Sequence, residues 1–249
     1  MLLNLISYLT SGNQTLVIYG VVTLLLRIPA ILLALSVHEA AHGWMANKLG
    51  DPTARSLGRI TINPLKHLNP IGALSMLLFG IGWANPVPIN TRYFKKPKRD
   101  MALTAVAGPI SNLLQGFIAL AVMIITTRLC FGSLSGANSD TLFFFYFASL
   151  LEGSVLERIV SILLLLLWIY ATLNFSLAIF NLIPVPPFDG SRLAFIFLPD
   201  KVYFGLMKYE RYTMFIFIAL FYFFGSALDF VFSFIIELFF SGFIWILAL

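Results

Sequence analysis

Charged residues are scarce in this chain of 249 residues. Asp, Glu, Lys and Arg together make up 11% of it, whereas a soluble globular domain averages about 25%. Hydrophobic residues reach 59%, and the mean hydropathy is +0.92. No polar stretch is long enough to build a second, water-soluble core. The composition therefore excludes a soluble protein and predicts one membrane-embedded domain over residues 1–249.

Cysteine is almost absent, since Cys130 is the only one in the sequence. A single thiol excludes a disulfide framework and a metal site built from several thiolates. Acidic residues are also few, 11 against 16 lysines and arginines, which gives a formal net charge of +5. In a membrane protein such an excess mostly reports which loops face the cytoplasm. We therefore expect a lipid bilayer as the surroundings and no nucleic acid as a partner.

Long apolar runs are what the sequence has in abundance. The first run, from about 16 to 46, contains Pro29, where a kink or a new helix start is expected because proline suits the first helical turn. Further runs occupy about 101–127, 158–181, 212–225 and 228–248. A helix needs about 20 apolar residues to cross a bilayer. The pattern predicts an all-α polytopic membrane protein with about five to six transmembrane helices, the last of them within 212–248.

Basic residues concentrate in three loops, at 48–70, 92–99 and 190–211. Placing all three in the cytoplasm gives a consistent threading of the runs. Between the first two loops lies an apolar segment, residues 71–84, that is too short for an ordinary crossing. Because both of its flanks are basic, we expect this segment to enter the membrane and leave by the same face. Such a re-entrant segment must be buried in protein or line a cavity.

The run "HEAAH" is the constellation that carries chemistry. It places His38 and His42 four residues apart near the end of the first apolar run, with Glu39 directly after the first histidine. Residues i and i+4 share one face of a helix, so both imidazoles can reach the same ion. The H-E-x-x-H pattern is that of zinc hydrolases, in which the glutamate is the general base. Two ordinary core histidines are the alternative, although ionisable groups inside a membrane are costly and usually functional.

A catalytic zinc needs a third protein ligand and leaves one position for water. The candidates toward the cytoplasmic side are His67, Asp51, Asp100, Asp189, Asp200 and Glu210. Asp189 follows an apolar run in a proline-broken segment that can reach into the bilayer. The other acids lie beside basic residues or in polar loops. The run "FDGS" is also an ordinary turn, so spacing alone leaves Asp189 divided between a ligand and a turn residue.

Three separated motifs extend this pattern: "HEAAH", "AGPISN" at 107–112 and "NLIPVPPFDG" at 181–190. Over about residues 28–200 the chain resembles the site-2 protease family of intramembrane zinc metalloproteases, in its compact bacterial branch without PDZ or nucleotide-binding domains. The resemblance implies that His38, His42 and Asp189 bind one Zn²⁺ per chain and that Glu39 is the base. It also implies a multi-pass protein of the bacterial inner membrane, with an active site that opens toward the cytoplasm.

The implied substrates are membrane-spanning helical proteins, cut in or near the bilayer in regulated intramembrane proteolysis. The resemblance further suggests that the amide of Asn112 helps to hold substrate, and it gives Asn181 either that role or one in bonding the broken backbone. His67 matches a loop histidine that we interpret as structural. Alternation in "RITIN" (59–63) and "NPVPIN" (85–90) predicts short strands beside the membrane. We hypothesise that the second offers an edge to which unwound substrate pairs.

Two other functions use the same residues. One is a membrane zinc peptidase whose third ligand is a glutamate, either Glu210 or Glu237. The other is a membrane transporter of a metal or solute, with His38, His42 and Asp189 as a passage site. The transporter predicts that Glu39→Gln leaves function largely intact, whereas the protease predicts that the metal stays and turnover is lost.

Overall fold

The computed structural model describes residues 2–10, 12–79, 84–132, 139–199, 202, 205, 225, 230–243 and 245–246. Its helices, in chain order, are α1 (Leu2–Thr10), α2 (Gln14–Lys48), α3 (Thr53–Ser56), α4 (Pro70–Phe79), α5 (Pro97–Phe131), α6 (Ser139–Glu152), α7 (Val155–Asn181), α8 (Gly190–Ala194) and α9 (Phe230–Phe243). Single 3₁₀ turns lie at Pro64–Lys66, Thr91–Tyr93 and Phe195–Phe197.

Three of these helices, α2, α5 and α7, are long and apolar enough to cross a membrane. They coincide with the runs at 16–46, 101–127 and 158–181, and they confirm an all-α membrane protein. The run at 212–225 lies almost wholly outside the described residues, and α9 covers part of the last run. A total of five to six crossings therefore stays a prediction.

Local signals explain where the long helices begin. The side chain of Asn13 accepts hydrogen bonds from the N–H groups of Thr15 and Leu16 at the start of α2, as a good N-cap residue does. Pro97 occupies the first turn of α5, where its missing N–H costs nothing. Ser154 and Glu157 form a reciprocal capping box at the start of α7. Each span thus has a defined first turn.

Two local expectations change in the structure. The helix α2 runs unbroken through Pro29, so a new helix start there is wrong. One missing N–H interrupts a single bond, and neighbouring helices can compensate for this in a membrane bundle. The helix α6 lies outside the apolar runs that the sequence analysis identified. It packs on α7, and the phenol of Tyr146 pairs with Thr127 Oγ1 of α5 at 2.7 Å.

The core of the bundle is the contact of α5 with α7 and α2. Small side chains allow close approach of these helices, which is how helices associate where lipid is as apolar as leucine. Ala34, Ala105, Ala171 and Ala178 are all buried in this way. Gly116 shows how tight the packing is, because a β-carbon there would lie 2.6 Å from the ring of Phe175. The bundle holds the ends of α2, α5 and α7 in a fixed relation around the candidate site.

The loop after α2 and the segment before α5 are hydrogen-bonded to each other. Arg59 Nη2 donates to the carbonyls of Asn85 and Pro86, at 2.7 and 3.2 Å. The Asp51 carboxylate, fully buried, accepts the Asn90 N–H at 2.6 Å. Residues 59–63 and 84–90 form no strand, so the predicted strands are wrong. Two prolines in the second segment remove ladder donors, and side chains hold it instead.

The apolar segment at 71–84 begins and ends at the same place. The Asn85 N–H donates to the carbonyl of His67 at 2.8 Å, and Asn85 Nδ2 donates to that of Leu68 at 2.9 Å. Asn69 Nδ2 also donates to Asn85 Oδ1. Between these contacts the helix α4 is ten residues long, which is too short to cross a bilayer. The two ends of the segment therefore meet, and its re-entrant course stays a prediction.

Candidate metal centre

His38 and His42 lie on one buried face of α2, with residue exposures of 6% and 7%. Their helical spacing of one turn brings the ring centroids to 4.6 Å, with the ring planes nearly perpendicular. The two Nε2 atoms face each other at 3.0 Å. The face of α2 predicted from the spacing is therefore the face that the structure turns inward.

Asp189 reaches the same point from the other end of the sequence. It lies directly before α8, at the end of a turn that follows α7 and contains the cis Pro186–Pro187 bond. Its Oδ2 atom is 3.3 Å from Nε2 of both histidines. The turn folds back so closely that a β-carbon on Gly190 would lie 2.3 Å from the Leu182 carbonyl oxygen. Only glycine fits there, and this close approach aims Asp189 at the histidines.

These three ligand atoms fit a metal ion. Ligand atoms at zinc distances of about 2.0–2.2 Å stand about 3.4 Å apart in a tetrahedral site, and the observed separations are 3.0, 3.3 and 3.3 Å. Oδ2 of Asp189 is buried and has no hydrogen-bond donor among the described residues. Three lone-pair atoms this close repel one another unless a metal ion or a proton lies between them. Among the described residues this is the one group of three acidic, cysteine or histidine side chains able to hold a metal.

The protonation state of the site is also arranged for a cation. The Thr104 carbonyl of α5 lies 2.8 Å from Nδ1 of His42. A proton on Nδ1 donates to that carbonyl, which leaves the lone pair of Nε2 free for a metal. The ordinary pKa of an aspartate, about 3.9, lies well below neutral pH. Asp189 is therefore a carboxylate.

Gly108 of α5 closes the centre from the opposite side. A β-carbon at this position would lie 2.4 Å from Nε2 of His42 and 2.6 Å from Cε1 of His38. No real β-carbon approaches other atoms so closely, so only glycine lets α5 pack against both imidazoles. The glycine of "AGPISN" thus has a direct packing role at the metal centre.

Glu39 points toward the segment that precedes α5. Its Oε2 atom accepts a hydrogen bond from the Val87 N–H at 2.8 Å. Val87 has a proline on each side, so its N–H is the sole amide donor within 86–88. The Val87 side chain is buried, and a β-carbon on Gly43 would lie 3.2 Å from it. The carboxylate next to the candidate metal ligands is therefore held by a fixed backbone donor.

Sequence similarity decides the family. The profile described as "Peptidase family M50" matches residues 27–224. The chain belongs to peptidase family M50. A protein of Bacillus subtilis (strain 168) named "Putative zinc metalloprotease YwhC" is 35% identical over 191 residues, which cover 77% of each chain. "Putative zinc metalloprotease Rip2" of Mycolicibacterium smegmatis is 30% identical over 104 residues, 39% of each chain. No solved structure matches.

Membership of M50, the site-2 protease family, makes this chain a membrane zinc metalloendopeptidase. Its cofactor is Zn²⁺, and the described cluster of His38, His42 and Asp189 could bind it. Nothing in the similarities supports a transporter. Of the rival third ligands, Glu237 takes no part in a metal-ligand cluster of the described residues. Glu210 and Asp200 lie outside the described residues.

The remaining acidic and histidine candidates of this M50 protein have structural contacts. Asp51 and Asp100 are buried rather than lying in open aqueous loops. Asp51 accepts the Thr53 N–H and the Asn90 N–H, and Asp100 pairs with Arg99 and accepts the Lys96 N–H. His67 is buried too, and its Nε2 bonds to the Thr61 carbonyl at 2.8 Å, in agreement with a structural role.

The two asparagines predicted to contact substrate differ in their surroundings. Asn112 follows Gly108 by one turn of α5 and is fully buried, and its Nδ2 has no acceptor among the described residues. Asn181 is the last residue of α7 and is half-buried. Among the described residues its side chain makes no hydrogen bond that ties it to the proline-broken turn. Of the two asparagines, Asn112 is therefore the more specific candidate for a contact with substrate.

Sequence reasoning missed the contributions of Thr104, Val87 and Gly190. Thr104 and Val87 act through a backbone carbonyl and a backbone N–H, which no side-chain pattern reveals. For Val87, the flanking prolines were the available signal, since they isolate one donor. The tight approach of Gly190 to Leu182 depends on the path of the turn, which the residue string alone does not specify.

Proposed function

We propose that this M50 protein is an intramembrane endopeptidase in which His38, His42 and Asp189 hold the zinc and Glu39 is the general base. The observation that carries the proposal is the convergence of Nε2 of His38, Nε2 of His42 and Oδ2 of Asp189 within 3.3 Å. Its substrates are membrane-spanning helical proteins, cut in or near the bilayer in regulated intramembrane proteolysis.

The chemistry is hydrolysis of a peptide bond. When bound, zinc supplies a Lewis acid for the scissile carbonyl and lowers the pKa of a water molecule to about 7. The Glu39 carboxylate takes a proton from the attacking water as the new C–O bond forms. It then delivers that proton to the nitrogen as the C–N bond breaks. The Val87 N–H orients Glu39 for both transfers because it fixes one carboxylate oxygen.

Asn112 assists at the scissile bond in this proposal. Its free amide N–H groups are donors, and the oxygen of a substrate carbonyl becomes more negative as water attacks. A fixed donor in a site that excludes water stabilises that charge strongly. Asn181 lies at the entrance to the proline-broken turn, where it contacts the substrate backbone. Both roles predict a loss of turnover on substitution by alanine, with the larger loss at Asn112.

Substrate must unwind before it is cut, because a helix hides its carbonyls in i→i−4 bonds. In the segment 85–90, fewer backbone N–H groups are free to pair with substrate than the sequence suggested. Asn85, Val87 and Asn90 already donate their N–H groups within the protein, and residues 86 and 88 are prolines. We propose that pairing with substrate is restricted to the Ile89 N–H and the neighbouring carbonyls, and that α4 shelters the unwound strand.

The orientation of the protein in the membrane is inferred from its basic loops. We place the basic loops at 48–70, 92–99 and 190–211 in the cytoplasm. The candidate ligands lie near the C-terminal end of α2 and in the turn after α7, which lead into two of these loops. Water enters from that side. We propose a single multi-pass domain over residues 1–249, with its catalytic core at about 28–200, in the bacterial inner membrane.

The experiment uses the full chain reconstituted in liposomes with a panel of single membrane-spanning helices, each carrying a helix-weakening centre and a fluorescent reporter at one end. We expect cleavage of at least one helix by the wild type and none by Glu39→Gln, with zinc present in both. A transporter would instead move zinc or solute equally well with Glu39→Gln. Absence of cleavage across the panel by the zinc-loaded wild type would contradict the proposal.

A further inference from the structure

A chain of polar side chains crosses from α7 to α5 beside the metal centre. The Tyr170 hydroxyl donates to Oε1 of Gln115, and Nε2 of Gln115 donates to Oδ1 of Asn112 at 3.2 Å. Asn112 is fully buried, and Tyr170 and Gln115 are half-buried. The Nδ2 atom of Asn112, at the end of this hydrogen-bonded series, has no acceptor among the described residues. A buried amide without a partner is costly in a folded protein, so this free donor needs an explanation.

Donation runs in one direction along this hydrogen-bonded series, from Tyr170 through Gln115 to Asn112. A tyrosine hydroxyl that donates to an amide must meet its oxygen, so Gln115 turns its NH₂ group the other way, toward Asn112. Asn112 then has to present its oxygen to Gln115. Its own NH₂ group is left on the opposite side. Loss of the Tyr170 hydroxyl would let both amides rotate and exchange a donor for an acceptor at the free end.

Asn112 lies one helical turn from the glycine that packs against the candidate metal ligands. Gly108 packs against His38 and His42, and Asn112 lies one turn further along α5, about 6 Å along the axis. Residues four apart share a helix face, so Asn112 belongs to the face of α5 that covers the metal centre.

We infer that Tyr170 and Gln115 are positioning residues that hold the Asn112 amide with its N–H groups free for a substrate carbonyl oxygen. The inference rests on the proposed function for the role of Asn112, but the orientation itself can be tested without cleavage. The ligand class is a backbone carbonyl of an unwound peptide. A chain that merely joined α5 to α7, as polar side chains often do in membrane bundles, would not need an unpaired donor at its end.

The first test observes the amide directly. The full chain, labelled with ¹⁵N in asparagine side chains and held in detergent, gives an Asn112 NH₂ signal that is assigned by its loss in Asn112→Ala. We expect this signal to shift in Tyr170→Phe and in Gln115→Met. It should stay in place in Tyr146→Phe, which removes another phenol that bonds a polar side chain of α5, at Thr127, roughly 22 Å along the helix from Asn112. An Asn112 signal unchanged in Tyr170→Phe would overturn the inference.

The second test measures turnover of a helix that the wild type cleaves. We expect Tyr170→Phe and Gln115→Met to lower kcat about tenfold with KM within twofold, because the donor acts on charge that develops during attack. Tyr146→Phe should match the wild type. In an Asn112→Ala background, Tyr170→Phe should have no further effect, since coupled residues are not additive. An equal loss in both backgrounds would overturn the inference. Failure of the wild type to cleave any helix would instead contradict the proposed function and leave the amide signal as the deciding result.

Discussion

A β-carbon on residue 108 would lie 2.4 Å from Nε2 of His42. Gly108 on α5 and His42 on α2 are thus in direct contact at the metal centre, although they are far apart in the sequence. The neighbouring Thr104 carbonyl bonds the other nitrogen of the same ring at 2.8 Å. One turn of α5 therefore fixes both the position and the tautomer of a candidate ligand that α2 supplies.

Gly108→Ala should weaken zinc binding. The added methyl group must displace one or both imidazoles, and a small displacement is enough to weaken a metal site about tenfold or more. The matched control is Gly242→Ala in α9, where an added β-carbon meets nothing within 4 Å. Zinc titration of both purified variants checks the expectation. Equal zinc affinity in Gly108→Ala and the wild type would contradict a role for this glycine in zinc binding.

Glu39→Gln should keep the zinc and lose turnover. The substitution preserves the shape of the side chain and an oxygen that can accept from the Val87 N–H, but an amide cannot take a proton from water. Loss of a general base lowers turnover by about 10²–10⁴-fold. Zinc content and helix cleavage, measured on the same preparation, separate the two effects. A variant that still cleaves within a few-fold of the wild type would rule out Glu39 as the base.

Proline substitutions separate two functions of the segment 85–90. Val87→Pro removes the donor to Glu39, so we expect lower kcat with zinc retained. Ile89→Pro removes the one N–H of 85–90 for which no acceptor is found among the described residues, so we expect higher KM if substrate pairs there. Steady-state kinetics on a cleaved helix distinguish the two variants. Unchanged kinetics in Ile89→Pro would eliminate pairing at this edge.

Much of the fold was predictable because membrane spans depend on composition over about 20 residues. The runs at 101–127 and 158–181 became α5 and α7 with only their ends displaced. Local signals such as proline were less decisive. Pro29 was expected to interrupt α2, yet the helix continues, because contacts along a long helix outweigh one missing hydrogen bond. Alternation in 85–90 suggested a strand, but the prolines in that segment prevent a ladder.

The candidate site, like the fold, was only partly predictable from the sequence. The spacing of His38 and His42 predicts a shared face because helical periodicity is local. Asp189 could not be chosen over a turn residue by spacing alone, since its position depends on a folded turn in which Gly190 packs on Leu182. The resemblance to a family supplied that ligand. The alignment of Tyr170, Gln115 and Asn112 required coordinates, because it joins two helices more than 50 residues apart.

The most direct test of the three-ligand centre is the zinc content of the purified full chain beside its Asp189→Ala variant, with Asp140→Ala as a matched control for loss of an exposed carboxylate. After metal-replete preparation and desalting, we predict roughly one zinc per chain in the wild type and in Asp140→Ala, and a large loss in Asp189→Ala. Zinc retained in Asp189→Ala at the wild-type level would contradict the account, because the histidines would then hold the metal with a different third ligand.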